Sequence, residues 1–346
     1  MGPAINGVRT NLTGTIVPGI MAAIPDLEFG AGEFDTCPEK KDTAGDVGIH
    51  HLAGTTTDAA AVAAAIATVT ADGGPSEPYL QAMWLFATGD TTLWPASPPT
   101  APACGPGRIG YGCVRDTALP ILVMIGDEPI TQADNCSVKV TTQMVADALN
   151  AIGAKLVAMG PMTKAAGNAS WIELAQKTGS LDAMGNPLFF ASKSLSELSG
   201  GAAGPEVVNA ITTLANEIAL DLTTKARDLD NDGVDARQFI ARIDANAAGG
   251  VADPRDASIV CVGGLMTSDR DGDGHDETFD GVRSGTPVCF DIIAKQNRSV
   301  RPTRKPQVFK AAVDVVELKS GSVFDTREVF FLVPPKPPTI AEPSIF

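Results

Sequence analysis

Apolar residues recur along the first two thirds of the chain in two alternating rhythms. Ile5, Val8, Leu12 and Ile16 repeat at helical spacing until Pro18 disturbs the pattern, because side chains three or four apart share one face of a helix. The stretch DLEFGAGEF that follows predicts a strand. TTDAAAVAAAIATVTADGG opens on a Thr/Asp cap, runs through alanines and closes on Gly73, which predicts a helix. LPILVMIGD is a short continuous apolar run ending on an acid, the pattern of a buried parallel strand. Val145, Ala148, Leu149 and Ile152 then mark a helix face stopped by Gly153. AKLVAMG predicts the next strand, NASWIELAQKTG a capped helix, PLFFAS a strand, and Val207, Ile211, Leu214 and Ile218 a last helix. This alternation predicts an α/β unit over residues 1–226, an open, mostly parallel sheet with helices on both faces.

From about residue 227 the helical rhythm stops. ARQFIARI, SIVCVGG, TPVCFDII, QVFKAAVDVVEL and REVFFLVP read as strands separated by Asp, Gly and Pro. In the fourth, Phe309, Ala311, Val313 and Val315 share one face while Lys310 and Asp314 point away. The pattern predicts a β-sandwich over residues 227–333. The closing PPKPPTIAEPSIF, residues 334–346, predicts an extended proline-rich tail.

Composition leaves room for both units: 346 residues, 44% hydrophobic and 19% charged, are enough for two cores. No run of about 18 apolar residues occurs, so no membrane span is expected. Asp and Glu exceed Lys and Arg by 41 to 26, a net charge of −15, and no basic stripe with interleaved aromatics is evident. Nucleic acid is therefore not an expected partner. The six cysteines form no CxxC and no Cys/His cluster suited to zinc, and their even number suits disulfides in an oxidising compartment. Cys104 and Cys113 bracket CGPGRIGYGC, where a local bridge would tie down a Gly/Pro loop, and Cys261 and Cys289 lie in two strand-like runs. Six free thiols remain the alternative. An extracellular or cell-surface location follows from this reading, yet MGPAINGVRTNLTGTIVPG has neither the basic nor the continuous apolar region of a signal peptide.

The sharpest chemical signal is SDRDGDGHDETFDG, residues 268–281. Calcium takes six to eight oxygens, and alternate carboxylates followed by a glycine at a sharp turn supply them. Asp269, Asp271, Asp273 and Gly274 fit that arrangement, with the His275 carbonyl next and Asp276, Glu277 or Asp280 to complete the shell. An EF-hand would carry Glu at loop position twelve and helices on both sides. Asp280 stands there instead and the flanks read as strands, so an EF-hand-like loop within β structure is expected, as in thrombospondin-type or dockerin-type loops. A second copy, RDLDNDGVD, sets Asp228, Asp230 and Asp232 ahead of Gly233. A solvated acidic turn is the alternative at both places. Two further acids lie where ligands bind in open parallel sheets, beyond strand C-terminal ends: Asp127, directly after the LPILVMIG strand, and Glu77, at the entry to a helix. The alternatives are a turn acid for Asp127 and a helix-capping acid for Glu77.

The order helix, IPDLEFGAGEF, TTDAAAV helix, GPSEPYLQAMW, LPILVMIGDEP, helix, GAKLVAMG resembles von Willebrand factor A domains over residues 1–226, in particular the integrin β I-like branch and related bacterial extracellular proteins. The resemblance implies a divalent ion at a metal-ion-dependent adhesion site, with Glu77 matching the second metal-binding loop and Asp127 the third. The family's D-x-S-x-S motif, which follows its first strand, is absent, because MGPAINGVRTNL begins at the first helix. The natural protein is accordingly expected to start upstream of Met1 and to carry that strand and motif there. Cys37 and Cys136 would both fall at the sheet end that holds the ion, and a third bridge between them is expected.

The resulting expectation is an exported, non-enzymatic binding or adhesion protein that recognises an unidentified protein or surface ligand through Mg2+ or Ca2+, with Ca2+ stiffening the sandwich. A purely structural surface protein needs no partner acid. A metal-dependent hydrolase using Asp127 and Glu77 is the third class. Against it, the only histidines are His50, His51 and His275, the adjacent pair reads as a polar strand edge, and no G-x-S-x-G elbow, P-loop or GxGxxG occurs in strand-to-helix context.

Overall fold

The computed structural model describes residues 2–24, 27–36, 48–69, 77–93, 100, 102–116, 118–126, 130, 139–161, 165–182, 184–192, 203–229 and 233–336. The chain divides into two compact units, one of Met1–Ala219 with Lys319–Ser322, the other of Leu220–Leu318 with Val323–Phe346.

The first unit begins with α1 (Gly2–Asn11), a π-helical turn (Leu12–Ile16) and α2 (Val17–Ala23). Pro18 therefore does not break the helix, contrary to the sequence expectation. It lies in the first turn of α2, and its missing N–H falls where the wider π turn already relaxes the i to i−4 ladder. β1 (Phe29–Phe34) pairs antiparallel with β2 (Ile49–Thr56), placing Glu33 opposite His50. Asp58 caps α3 (Ala59–Ile66) by accepting from the Ala60 and Ala61 N–H groups at 3.0 Å. The expected stop at Gly73 lies outside the described residues. α4 (Tyr79–Thr88) ends at Gly89 in the left-handed region, and the short β3 (Arg108–Ile109) and β4 (Val114–Arg115) form an antiparallel pair.

β5 (Ile121–Ile125), β6 (Lys155–Pro161) and β7 (Phe189–Ser192) make a parallel sheet in that order, joined through α5 (Thr142–Ala151) and α6 (Ala165–Lys177). The single mostly parallel sheet expected from sequence is thus present only in part: β1 joins β2 in a separate antiparallel pair, and three strands form the parallel sheet. β6 is the inner strand, and its Leu156, Val157, Ala158 and Met159 are at most 2% exposed. Around it Tyr79, Met83, Met124, Val145, Leu149, Trp171 and Leu174 build the core. α7 (Ala203–Glu217) packs on α2. Gly19 permits that approach, since a Cβ there would meet the Val208 methyls at 2.8 and 2.9 Å.

The second unit contains β8 (Ala219–Asp228), a 3-10 turn (Ala236–Phe239), β9 (Ile240–Ala245), β10 (Thr267–Ser268), β11 (Thr278–Arg283), β12 (Phe290–Ala294), β13 (Gln307–Glu317) and β14 (Val323–Val333). Five strands form one sheet in the order β10-β11-β8-β13-β14, and β9 pairs antiparallel with β12. Phe279 of β11 meets Phe290 of β12 edge-on at 5.1 Å, while Phe239 and Ile240 cluster with Phe309, Ala311 and Val333. The smaller sheet thus covers one face of the larger, a sandwich-like arrangement.

Two strand expectations change here. SIVCVGG forms only an isolated bridge, Val260 with Ala252, because this run folds back locally on residues 250–253. The first half of ARQFIARI is the 3-10 turn, capped by Asp235, which accepts from the Arg237 N–H. Asp314, on the face of β13 opposite Phe309, is 7% exposed and accepts from Arg227 at 2.9 Å and from the Thr326 hydroxyl at 2.7 Å. β13 lies between β8 and β14, so both its edges are paired.

Candidate functional site

The loop between β10 and β11 gathers the Asp-rich motif. Carboxylate oxygens of Asp269, Asp271 and Asp273 all lie within 4.8 Å of one another. Short local bonds shape the loop. Asp269 accepts from the Gly272 N–H at 2.6 Å and the Gly274 N–H at 2.8 Å, Asp271 from the Asp273 N–H at 3.0 Å, and Asp273 from the His275 N–H at 2.9 Å. Gly272 and Gly274 have φ of +80° and +88°, a left-handed backbone open to glycine at little cost. The Gly274 and Gly272 amides hold the Asp269 carboxyl below its ordinary range, so it stays ionised. Three clustered anions repel until a cation neutralises them, and their oxygen donors suit a hard ion such as calcium.

The rest of the expected shell separates. Glu277 accepts from the Arg270 N–H with one oxygen at 2.9 Å, and its second oxygen is buried without a hydrogen-bond partner. Glu277 stands at the ninth position of the loop, outside the trio of acids whose oxygens converge. Asp280, at the twelfth, accepts instead from Arg270 at 2.6 Å and the Ser268 hydroxyl at 3.0 Å. Asp276 accepts from the Thr267 hydroxyl at 2.5 Å, and His275 is exposed. Arg270 is the residue that sequence reasoning passed over: a cation inside D-R-D reaches back across the loop to Asp280.

Asp228 of the second motif ends β8 and accepts from the Ala236 N–H at 2.9 Å, closing the intervening loop. Asp230 and Asp232 lie outside the described residues.

In the first unit, Glu77 is half-buried just ahead of α4, and its carbonyl accepts from the Tyr79 N–H at 2.9 Å. Asp127 lies outside the described residues, but Gly126, which precedes it, packs on Tyr79 so closely that a Cβ would overlap the Tyr79 hydroxyl. Phe34, at the end of β1, meets the same ring edge-on at 5.0 Å. The ends of β1 and β5 and the start of α4 therefore converge on Tyr79. His50 and His51 diverge as successive strand residues must. His50 contacts Glu33 at 3.0 Å, whereas His51 stands edge-on to Tyr111 at 5.4 Å, its pKa lowered by burial and then by His50.

Two disulfides are formed, Cys104–Cys113 with Cα atoms 5.3 Å apart and Cys261–Cys289 with Cα atoms 5.7 Å apart. Cys37 and Cys136 lie outside the described residues. Beside the first bridge, Arg108 donates to Glu28 at 2.8 Å, to the Thr55 hydroxyl at 2.7 Å and to the Cys113 carbonyl at 2.9 Å. The Arg108 hydrogen bond first, and then one from the Thr55 side chain, hold the Glu28 carboxyl below its ordinary value against the opposing effect of burial. Among the described residues no helix is long and apolar enough to cross a membrane.

No protein-family model and no curated protein matches the chain. Among solved structures, one crystal form of the pilus adhesin SpaC from Lactobacillus rhamnosus GG aligns with a TM-score of 0.35 at 12% identity, over 94% of this chain and 40% of that one. The open conformation of the same adhesin aligns with a TM-score of 0.35 at 11% identity, over 95% and 41%. The chain thus spans about two fifths of those adhesin chains. Scores at this level do not establish a shared fold.

Proposed function

We propose that the chain is an extracellular or cell-surface binding protein without enzymatic activity, whose second unit is stabilised by calcium at Asp269, Asp271, Asp273 and Glu277. The convergence of three carboxylates within 4.8 Å of one another carries the calcium reading, and the buried unpartnered oxygen of Glu277 supports it. Two disulfides support the oxidising compartment.

Binding of the partner is assigned to the first unit, where the resemblance to von Willebrand A domains would imply a Mg2+ or Ca2+ ion near Glu77 and Asp127. The meeting of β1, β5 and the start of α4 at Tyr79 supports that placement. β1 and β5 each have one edge without a strand partner among the described residues. The ion would leave one coordination position for an acid from the partner, and Mg2+ exchanges waters for such ligands.

Retention of the protein on an array of cell-wall and matrix components, with Mg2+ and with EDTA, tests the reading. Cation-dependent retention by wild type that fails in Asp127→Ala is expected. Absence of retention for both proteins favours the purely structural role, retention unchanged by EDTA and by Asp127→Ala contradicts the cation-dependent reading, and metal-dependent turnover of a hydrolase substrate panel contradicts binding and structural roles alike.

A further inference from the structure

β14 is the last strand of its sheet, eleven residues long, and its outer edge has no strand partner among the described residues. A long regular edge with free N–H and C=O groups is a template for another strand, and folded proteins usually blunt it. Here the reverse holds. On the face shared by alternate residues, Phe330 is 57% and Leu332 64% exposed, and their neighbours across to β13 are Lys310 and the exposed Val308. Lys310 Nζ stands 5.7 Å from the Phe330 ring centre.

The same end of the sheet carries a concentration of positive charge in a chain of net charge −15. Lys295 to Lys310 includes six basic residues and no acid. Val300 packs into the cluster with Phe309 and Val333, which fixes this segment against the end of the sheet. The Lys336 N–H donates to the Thr303 carbonyl at 2.7 Å, bringing the residue that follows β14 and Pro334-Pro335 beside Arg304 and Lys305. Arg298, Arg301, Arg304 and Lys305 are exposed and form no ion pair among the described residues. Uncompensated guanidinium groups recognise carboxylates through paired, charge-assisted hydrogen bonds.

We propose that β14 receives an extended segment of a partner protein as an additional strand, one that alternates apolar residues and carries a run of acidic residues at the end meeting Arg301, Arg304 and Lys305. The free edge supplies main-chain hydrogen bonds, Phe330, Leu332 and Val308 receive the apolar side chains, and the basic segment fixes direction and register. Charge complementarity selects a partner strand over a second copy: β14 itself carries Asp325, Arg327 and Glu328 and offers no acidic run to the basic end. This surface belongs to the second unit and is independent of the proposed ions.

The test uses the full chain and a fluorescent ten-residue peptide alternating valine and threonine and ending in three glutamates. The controls are a peptide ending in three lysines and a scrambled one. Saturable anisotropy with the acidic peptide, at least tenfold weaker for Leu332→Glu and for Arg304→Glu/Lys305→Glu, is expected. Amide exchange slowed within residues 323–333 on binding is expected as well, and it locates the contact without relying on a variant. Several outcomes overturn the proposal: no binding, equal binding of all three peptides, or protection elsewhere. So do concentration-dependent dimerisation that occupies the edge, binding that emerges only when residues 337–346 are removed, and capture of anionic vesicles or heparin in place of the peptide with β14 amides unchanged.

Discussion

At the scale of single residues, charge and close packing make separable claims. Asp253 sits in a ring of ions: it accepts from Arg327 at 2.7 Å, and Arg327 and Arg255 both reach Asp325, at 2.7 and 3.3 Å. The Arg327 hydrogen bond, and then the Arg255 N–H, lower the Asp253 carboxyl from 3.8 to about 2. A carboxyl depressed in the folded state adds stability above its unfolded pKa and loses it as pH falls through the folded value. The second unit should therefore weaken between about pH 4 and pH 2, and Arg327→Met should flatten that part of the curve. Denaturant midpoints across this range decide it, and parallel curves for the two proteins would remove Asp253 from the account. Gly126→Ala makes a steric claim in the first unit. The new methyl meets the Tyr79 hydroxyl inside a closed core, and overpacking of this kind costs about 1–3 kcal/mol. Urea unfolding should show the loss, and Tyr79→Phe with Gly126→Ala should recover part of it.

At the scale of elements, β5 provides the clearest contrast. Its Ile-Leu-Val-Met-Ile composition is that of a strand flanked on both sides, and it pairs only with β6 among the described residues. Hydrogen exchange should find alternate amides of Ile121–Ile125 fast while those of Leu156–Met159 stay protected. Uniform protection of β5 would mean that its second edge is already covered.

Elements with strong punctuation were legible in the sequence. Asp58 announces α3 and caps it through its side chain, and Gly153, in the left-handed region, follows the end of α5. β8 was not legible, because Ala219 follows α7 with no Gly or Pro between them and its polar second half, TTKARD, pairs with β13 mainly through the backbone. SIVCVGG misled in the other direction. Its apolar run suits a strand, yet Ile259, Val260 and Val262 are each more than 40% exposed, and the Cys261–Cys289 bridge holds the segment in place. The basic end of β14 escaped notice for a third reason: its aromatic component, Phe330, comes from the next strand, so charge and ring are neighbours only in the fold.

At the scale of the whole molecule, two units with separate cores should unfold in separable steps. The proposed calcium loop belongs to the second unit alone, so the ion acts on one step. A ligand that binds only the folded state stabilises by RT ln(1 + [L]/Kd), about 2.7 kcal/mol at 100 times Kd, and extracellular calcium modules have Kd of about 0.1–1 mM. For a unit of this size the shift is on the order of 5–10 °C. Differential scanning calorimetry with 10 mM calcium and with EDTA, on wild type and Asp271→Ala, measures it directly. The account predicts that calcium raises the midpoint of the second unit's transition in wild type and that this rise is lost in Asp271→Ala. Coincident traces for wild type in calcium and EDTA, or an equal shift in Asp271→Ala, would contradict it.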